Sequence, residues 1–251
     1  MKDLFSNEGQ RAVAAVLALK PLLAFDFDGT LAPIVARPDD VHVAADVKLR
    51  LAQLSRWRPV AIITGRRIAD VAPRLGFEPS YIVGSHGAED PELGASVAHE
   101  LALTSARTHL AAHASALAEA GVMIEDKGHS IALHYRLASD PQKAEQCIES
   151  TIANIGPGLH RFGGKCVVNL VAEHAPNKGD TVQRLVARTQ SGAALFVGDD
   201  VNDEAVFEVA PDHWLTVRIG RDFPGSRAQF FLDSHAEVSR LLQLLIDVRP
   251  E

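Results

Sequence analysis

The sequence predicts an α/β fold: a mostly parallel sheet covered by helices on both faces, with a smaller α+β unit inserted into it. Three observations carry this. Residues 22–27, 60–63 and 194–197 are short apolar runs, broken only by Asp26, and read as strands buried on both faces. Segments with helical spacing separate them, as a parallel sheet requires. Between 101 and 173 the rhythm changes to helix, two strands, helix, two strands.

Taken in order, residues 11–20 form an Ala/Val/Leu helix that Pro21 stops. The strand 22–27 ends in Asp-Gly-Thr, a sharp turn. Val47, Leu51 and Leu54 fall at helical spacing and predict a helix over 44–56. The strand 60–63 runs into Thr64-Gly65-Arg66, and a helix over 68–75 stops at Gly76. A third short strand covers 81–83. In the inserted unit, helices are expected over 101–120 and 142–155, with strands over 122–125, 131–135, 159–162 and 167–170. Helix 178–188, strand 194–197 and a closing helix over 238–246 complete the larger unit. The expected division is 1–100 and 174–251 for the core and 101–173 for the insertion, with hinges near Leu101 and 173–176.

Composition bounds the function. Hydrophobic residues make up 47% of the 251, enough for a packed core. A net charge of −7 argues against nucleic-acid binding, which needs a basic surface, yet leaves room for one small anionic ligand in a local positive pocket. Two cysteines, Cys147 and Cys166, are too few for a disulfide framework and read as small buried apolar residues. The first ten residues are polar, and no apolar run approaches the ~20 residues of a membrane span. The expectation is a soluble, cytoplasmic monomer.

The chemistry gathers at strand ends, where open α/β sheets bind ligands. Asp26 and Asp28 lie two apart at the end of the first buried strand and point the same way if the strand continues through them. Gly29 lets the backbone turn back close to a ligand. Buried acids in a cluster call for a cation or a proton. The alternative is that Asp28 or Thr30 caps a following helix, which leaves Asp26 unexplained. After the strand 194–197, Asp199, Asp200 and Asp203 add hard oxygen donors suited to Mg²⁺, with helix capping the alternative for Asp200. Thr64, Gly65 and Arg66 offer a hydroxyl and N–H groups for an anion, or a cap. Lys178 opens a helix, where a cation is disfavoured unless an anion lies nearby; a solvated surface lysine is the alternative. Together these parts describe phosphoryl transfer. Asp26 attacks phosphorus. Mg²⁺, Thr64 and Lys178 hold the oxygens, and Asp28, its pKa raised by neighbouring carboxylates, protonates the leaving sugar oxygen and then activates water.

The segments 26–30, Thr64, Lys178 and 198–203 resemble, in order, the four motifs of the haloacid-dehalogenase-like (HAD) phosphatases. That resemblance implies a Rossmann-like HAD core with a C2-type α+β cap. It implies Asp26 as nucleophile, Asp28 as general acid/base, and Mg²⁺ held by Asp26, the Asp28 carbonyl and Asp199, with Asp203 close by. Within this group the chain is similar to the trehalose-6-phosphate phosphatase family. The similarity runs through Gly84-Ser85-His86-Gly87-Ala88-Glu89, Glu125-Asp126-Lys127-Gly128, His134-Tyr135-Arg136, Gly164-Lys165-Cys166-Val167-Val168 and Gly198-Asp199-Asp200 with Asp203-Glu204. It implies that Glu125, Lys127, Arg136 and Lys165 bind sugar hydroxyls or phosphate, with His86 and Asn202 near the site. His86 and His134 are equally readable as satisfied structural histidines. Asn169 stands where that family carries Glu, and could still bond a sugar hydroxyl. The expected activity is Mg²⁺-dependent hydrolysis of trehalose 6-phosphate. Alternatives are a phosphatase for sucrose or mannosylglycerate phosphates, a phosphosugar mutase, or a non-catalytic sensor, for which a nucleophile at Asp26 is superfluous.

Overall fold

The structure is a computed structural model that describes residues 1–35, 41–93, 97–164 and 166–248. In chain order its strands are β1 (Lys2–Asp3), β2 (Leu22–Phe25), β3 (Val60–Ile63), β4 (Tyr81–Val83), β5 (Met123–Asp126), β6 (Ser130–His134), β7 (Leu159–Gly164), β8 (Val167–Ala172), β9 (Ala194–Gly198), β10 (Leu215–Ile219) and β11 (Phe230–Leu232). The helices are α1 (Asn7–Ala18), α2 (Ala45–Leu54), α3 (Ile68–Leu75), α4 (Val97–Ala112), α5 (Ala114–Glu119), α6 (Pro141–Ile152), α7 (Lys178–Arg188), α8 (Glu204–Val209) and α9 (Val238–Asp247). Two compact units result: Met1–Gly87 with Pro176–Glu251, and Ala88–Ala175. The second unit contains the whole of the segment 101–173.

The first unit is built on a seven-stranded parallel sheet in the order β1-β11-β10-β9-β2-β3-β4. Leu22, Leu23, Ala24 and Phe25 of β2 are fully buried, as are Val60, Ala61, Ile62 and Ile63 of β3. Burial on both faces explains why these strands read as continuous apolar runs. From β2 the chain winds outward through β3 and β4; it returns to β9 and winds the other way through β10 and β11. The order therefore reverses between the neighbours β2 and β9, which opens a crevice at their carboxyl ends. Local signals fix the helices around the sheet. Ser6 caps α1 by accepting from Gly9 N–H, Gly76 closes α3, and Asn177 with Asp180 forms a capping box at the start of α7.

The second unit is a four-stranded antiparallel sheet, β5-β6-β8-β7. Ile131, Leu133, Val168 and Leu170 pack on Leu103, Ala106 and Leu110 of α4 and Ala144 and Ile148 of α6. The register pairs Glu125 with Ala132, Ala132 with Asn169, and Asn169 with Phe162. Directly paired residues share a face, so these four form a row on the side away from the helices.

Several expectations need correction. The helix expected over 101–120 is two helices, broken at His113, whose ring bonds the His109 carbonyl at 2.9 Å and competes with the helical ladder. Leu101, expected at a hinge, lies inside α4, and the chain passes between units at 87/88 and 175/176. The first strand ends at Phe25, before the two acids. β1, β10 and β11 were not anticipated: β1 and β11 are too short to show a pattern, and an arginine interrupts β10. No helix among the described residues is long and apolar enough to cross a membrane.

Candidate active site

The end of β2 sets the first carboxylate. Asp26 N–H donates to the Val197 carbonyl at 2.9 Å, so this residue stays tied to β9 although the strand has ended. Only 4% of Asp26 is exposed. The Phe27 carbonyl then accepts from Leu31 and Ala32 N–H, both at 3.0 Å, and folds 27–32 into a tight loop. Gly29 has φ +78, and a Cβ there would overlap the Asp199 carboxylate. Glycine thus serves two needs, a left-handed backbone and close approach to an acid. The next described helix on this side begins at Ala45, so Asp28 and Thr30 cap nothing and that alternative falls away.

The end of β9 sets the next two. Asp200 caps the short 3₁₀ turn Val201–Asp203, accepting from Val201 N–H at 2.8 Å, and its own N–H donates to Asp203 Oδ2 at 2.9 Å. Asn202 Nδ2 donates to Asp200 Oδ2 at 3.3 Å, so in this state Asn202 serves the turn. Asp200 is a cap, while Asp199 and Asp203 are buried. One oxygen each from Asp26, Asp199 and Asp203 lie within 4.8 Å of one another.

Lys178, the first residue of α7, enters this cluster. Its Nζ lies 2.8 Å from Asp26 Oδ1 and 2.7 Å from Asp203 Oδ1, and its side chain is 2% exposed. It is no solvated surface lysine; the two carboxylates offset both its burial and the helix dipole. Burial pushes its pKa down, but Asp203 and Asp26 outweigh burial and hold it above the usual value. Burial drives Asp26 well above the ordinary carboxylate range; Lys178 opposes this, and Asp203 and Asp199 add to it. With all three acids ionised, one ammonium leaves two negative charges over, which one divalent cation at the cluster would balance, keeping Asp26 in its charged form. The donors are hard oxygens, and two oxygens on one Mg²⁺ lie roughly 3–4 Å apart given bonds of about 2.1 Å. The residues fit such an ion after a small adjustment.

Asp28 has a partner that its spacing from Asp26 does not indicate. Its carboxylate accepts a bidentate pair from Arg66, at 2.8 Å from both Nε and Nη2. Arg66 Nη1 also reaches Asp70 at 2.8 Å. Burial lowers the Arg66 pKa, but Asp28 and Asp70 more than compensate and hold it up. To serve as an acid, Asp28 has to leave this fork. Thr64 is fully buried; its Oγ accepts from Arg66 N–H at 3.1 Å, which leaves the hydroxyl proton to be donated elsewhere, and it caps no helix. Ser85 and His86 have φ 49 and 60, values that strain a residue with a Cβ, whereas Gly87 takes φ 117 freely. Strain of this kind concentrates at functional sites. His86 N–H donates to the Thr64 carbonyl at 2.9 Å, and its ring packs on Gly65, where a Cβ would collide with it.

The remaining candidates lie in the second unit. Glu125 Oε2 is 2.7 Å from His134 Nε2 and 3.7 Å from Lys127 Nζ. His134 is thus a partner of a candidate sugar-binding acid. Asn169 is buried beside Ala132 in the row with Glu125. Arg136 is exposed in the turn after β6. Lys165 lies outside the described residues. Sequence reasoning missed the buried Arg218 and gave Glu204 no role; they pair at 3.0 Å. The available signal was a lone arginine inside the apolar run 215–219.

The trehalose-phosphatase family model matches residues 24–227. A probable trehalose-phosphate phosphatase of Sinorhizobium fredii is 38% identical over 216 residues, covering 82% of this chain and 80% of that protein. The trehalose-phosphate phosphatase of Mycobacterium tuberculosis is 30% identical over 243 residues; this chain spans 62% of its length. The C-terminal domain of C. albicans trehalose-6-phosphate phosphatase superposes with a TM-score of 0.77 at 23% identity, over 95% of this chain and 96% of that one. At that identity the superposition speaks for the HAD fold, while the family rests on the sequence matches. With its core sheet, its strand-end acids and these relatives, the chain belongs to the trehalose-phosphatase family of HAD-fold phosphatases.

Proposed function

We propose that the chain hydrolyses trehalose 6-phosphate to trehalose and inorganic phosphate, with Mg²⁺ and through a phosphoryl group carried on Asp26. The observation that bears most weight is the meeting of Asp26, Asp199 and Asp203 within 4.8 Å, with Lys178 wedged against two of them. Mg²⁺ at these carboxylates supplies charge neutralisation for the phosphoryl oxygens. Everything else falls to the chain itself. Asp26 attacks phosphorus while Lys178 and the Thr64 hydroxyl hold non-bridging oxygens. The bond from phosphorus to the sugar oxygen breaks, and Asp28, released from Arg66, gives that oxygen its proton. Asp28 then takes a proton from water; the water oxygen bonds to phosphorus, the Asp26–phosphorus bond breaks, and phosphate leaves. Glu125, Lys127, Arg136, Lys165 and Asn169 are proposed to bind the sugar, and Gly29, Gly65, Arg66, His86 and Asn202 to shape the phosphate end.

Asn169 favours keeping a second reading in view. Where the resemblance implies Glu, this chain has a neutral amide, buried in the row with Glu125, so a related disaccharide phosphate is the alternative substrate. The test is phosphate release from trehalose 6-phosphate, sucrose 6-phosphate, mannosyl-3-phosphoglycerate and monosaccharide phosphates, with Mg²⁺ and with chelator. Trehalose 6-phosphate should be turned over fastest, and only with the metal. Equal turnover of a monosaccharide phosphate rejects the substrate; a positional isomer without free phosphate points to a mutase; activity in chelator rejects the metal.

A further inference from the structure

Arg218 on β10 stands in register with Gly198, the residue before Asp199. Its side chain is 2% exposed. Nη1 donates to two acceptors, the Asp200 carbonyl at 3.3 Å and Glu204 Oε1 at 3.0 Å. Asp200 follows Asp199 and Glu204 follows Asp203, so one guanidinium nitrogen ties the beginning and the end of the turn that carries both candidate metal ligands. The second carboxylate oxygen of Glu204 accepts from Arg227 N–H at 2.9 Å, and the Phe223 ring lies 5.1 Å from the guanidinium carbon. The β10–β11 connection therefore holds the pair from the far side.

Stability alone is a poor reason for this arrangement. A buried ion pair gains little over apolar residues of similar volume. Arg218 Nε, moreover, is buried with no hydrogen-bond acceptor among the described residues, a further cost. What the pair does supply is a fixed span between Asp199 and Asp203. Partners behind metal ligands act in this way, by orienting the donors before the ion arrives.

We propose that Arg218 and Glu204 are positioning residues that set the separation of Asp199 and Asp203 for a divalent cation, touching neither ion nor substrate. The assignment rests on the metal-dependent reading of the site. The test is calorimetric titration of the substrate-free protein with Mg²⁺ alone, alongside thermal unfolding without metal. Arg218→Met and Glu204→Gln each leave a partner unmatched in the interior and are prone to misfold, so the double variant, which removes both charges, is decisive. It should remain folded and bind Mg²⁺ about 10- to 100-fold more weakly. Arg218→Lys, which keeps the charge and loses the fork, should fall between the two. Unchanged Mg²⁺ affinity in the folded double variant overturns the assignment and leaves the phosphatase reading standing. Absence of Mg²⁺ binding by the unmodified protein overturns both.

Discussion

Lys178 Nζ lies 2.8 Å from Asp26 Oδ1 in the interior of the protein, so the proposed nucleophile and its cation hold each other in place. Removing the ammonium leaves Asp26 and Asp203 facing each other without compensation, a loss of about 3–5 kcal/mol for a buried pair. Lys178→Met is therefore expected to unfold at much lower denaturant in chelator. Saturating Mg²⁺ should recover part of that loss, because the ion takes over the charge. Activity should drop at least about 100-fold, since a preorganised positive group is lost. Denaturant melts with and without Mg²⁺ check this; an equal loss in both would show that the ion does not share the carboxylates.

Asp26→Asn separates chemistry from structure. The amide fills the same volume, and it removes a carboxyl that burial already pushes towards its neutral form. The metal-free variant should be no less stable than the unmodified protein. An amide cannot accept the phosphoryl group, so turnover should fall by at least about 10⁴-fold. Retained activity would refute the assigned nucleophile.

Much of this was legible because the local signal and the tertiary role coincide. Asp26 breaks an apolar run, and Asp199 follows another; a charge at the end of a buried strand demands a partner, and Lys178 meets Asp26 there. The strands 60–63 and 81–83 and the helices 68–75 and 178–188 were readable to the residue for the same reason. The orientation of side chains was not. Asp28 two residues from Asp26 suggested a shared face, but the strand ends at Phe25 and the loop turns Asp28 to Arg66, 38 residues away. Arg218 is the converse case. Its charge breaks the apolar pattern of β10, and only the fold brings Glu204 to it.

Gly29 tests the packing of the acid cluster. Alanine at φ +78 costs on the order of 1–2 kcal/mol of backbone strain. Its methyl would also displace the Asp199 carboxylate. Gly29→Ala is expected to melt only a few degrees lower and to bind Mg²⁺ more weakly, with a larger loss in affinity than stability alone predicts. A variant that loses stability but keeps its Mg²⁺ affinity would show that Asp199 has room to move aside.

Asp70 gives a charge-specific prediction about the Arg66 fork. Its carboxylate accepts from Arg66 at 2.8 Å and from Arg74 at 2.6 Å. Burial raises its pKa, but the two guanidiniums outweigh burial and hold it below the ordinary carboxylate value. A carboxylate depressed in the folded state stabilises the protein above its unfolded pKa of about 3.9, and that contribution disappears as the pH falls through the folded value. Asp70→Asn should therefore melt below the unmodified protein near pH 7, and the two should converge as the pH drops from about 4 towards 2. A gap that persists at the acid end would assign the effect to shape and not to charge. The same substitution should leave the bidentate pair between Arg66 and Asp28 in place without Asp70 beside it. If Asp28 must leave that fork to donate a proton, the pH profile of turnover should shift in Asp70→Asn while its Mg²⁺ affinity stays unchanged. That combination distinguishes a change in the acid's partner from a general loosening of the site.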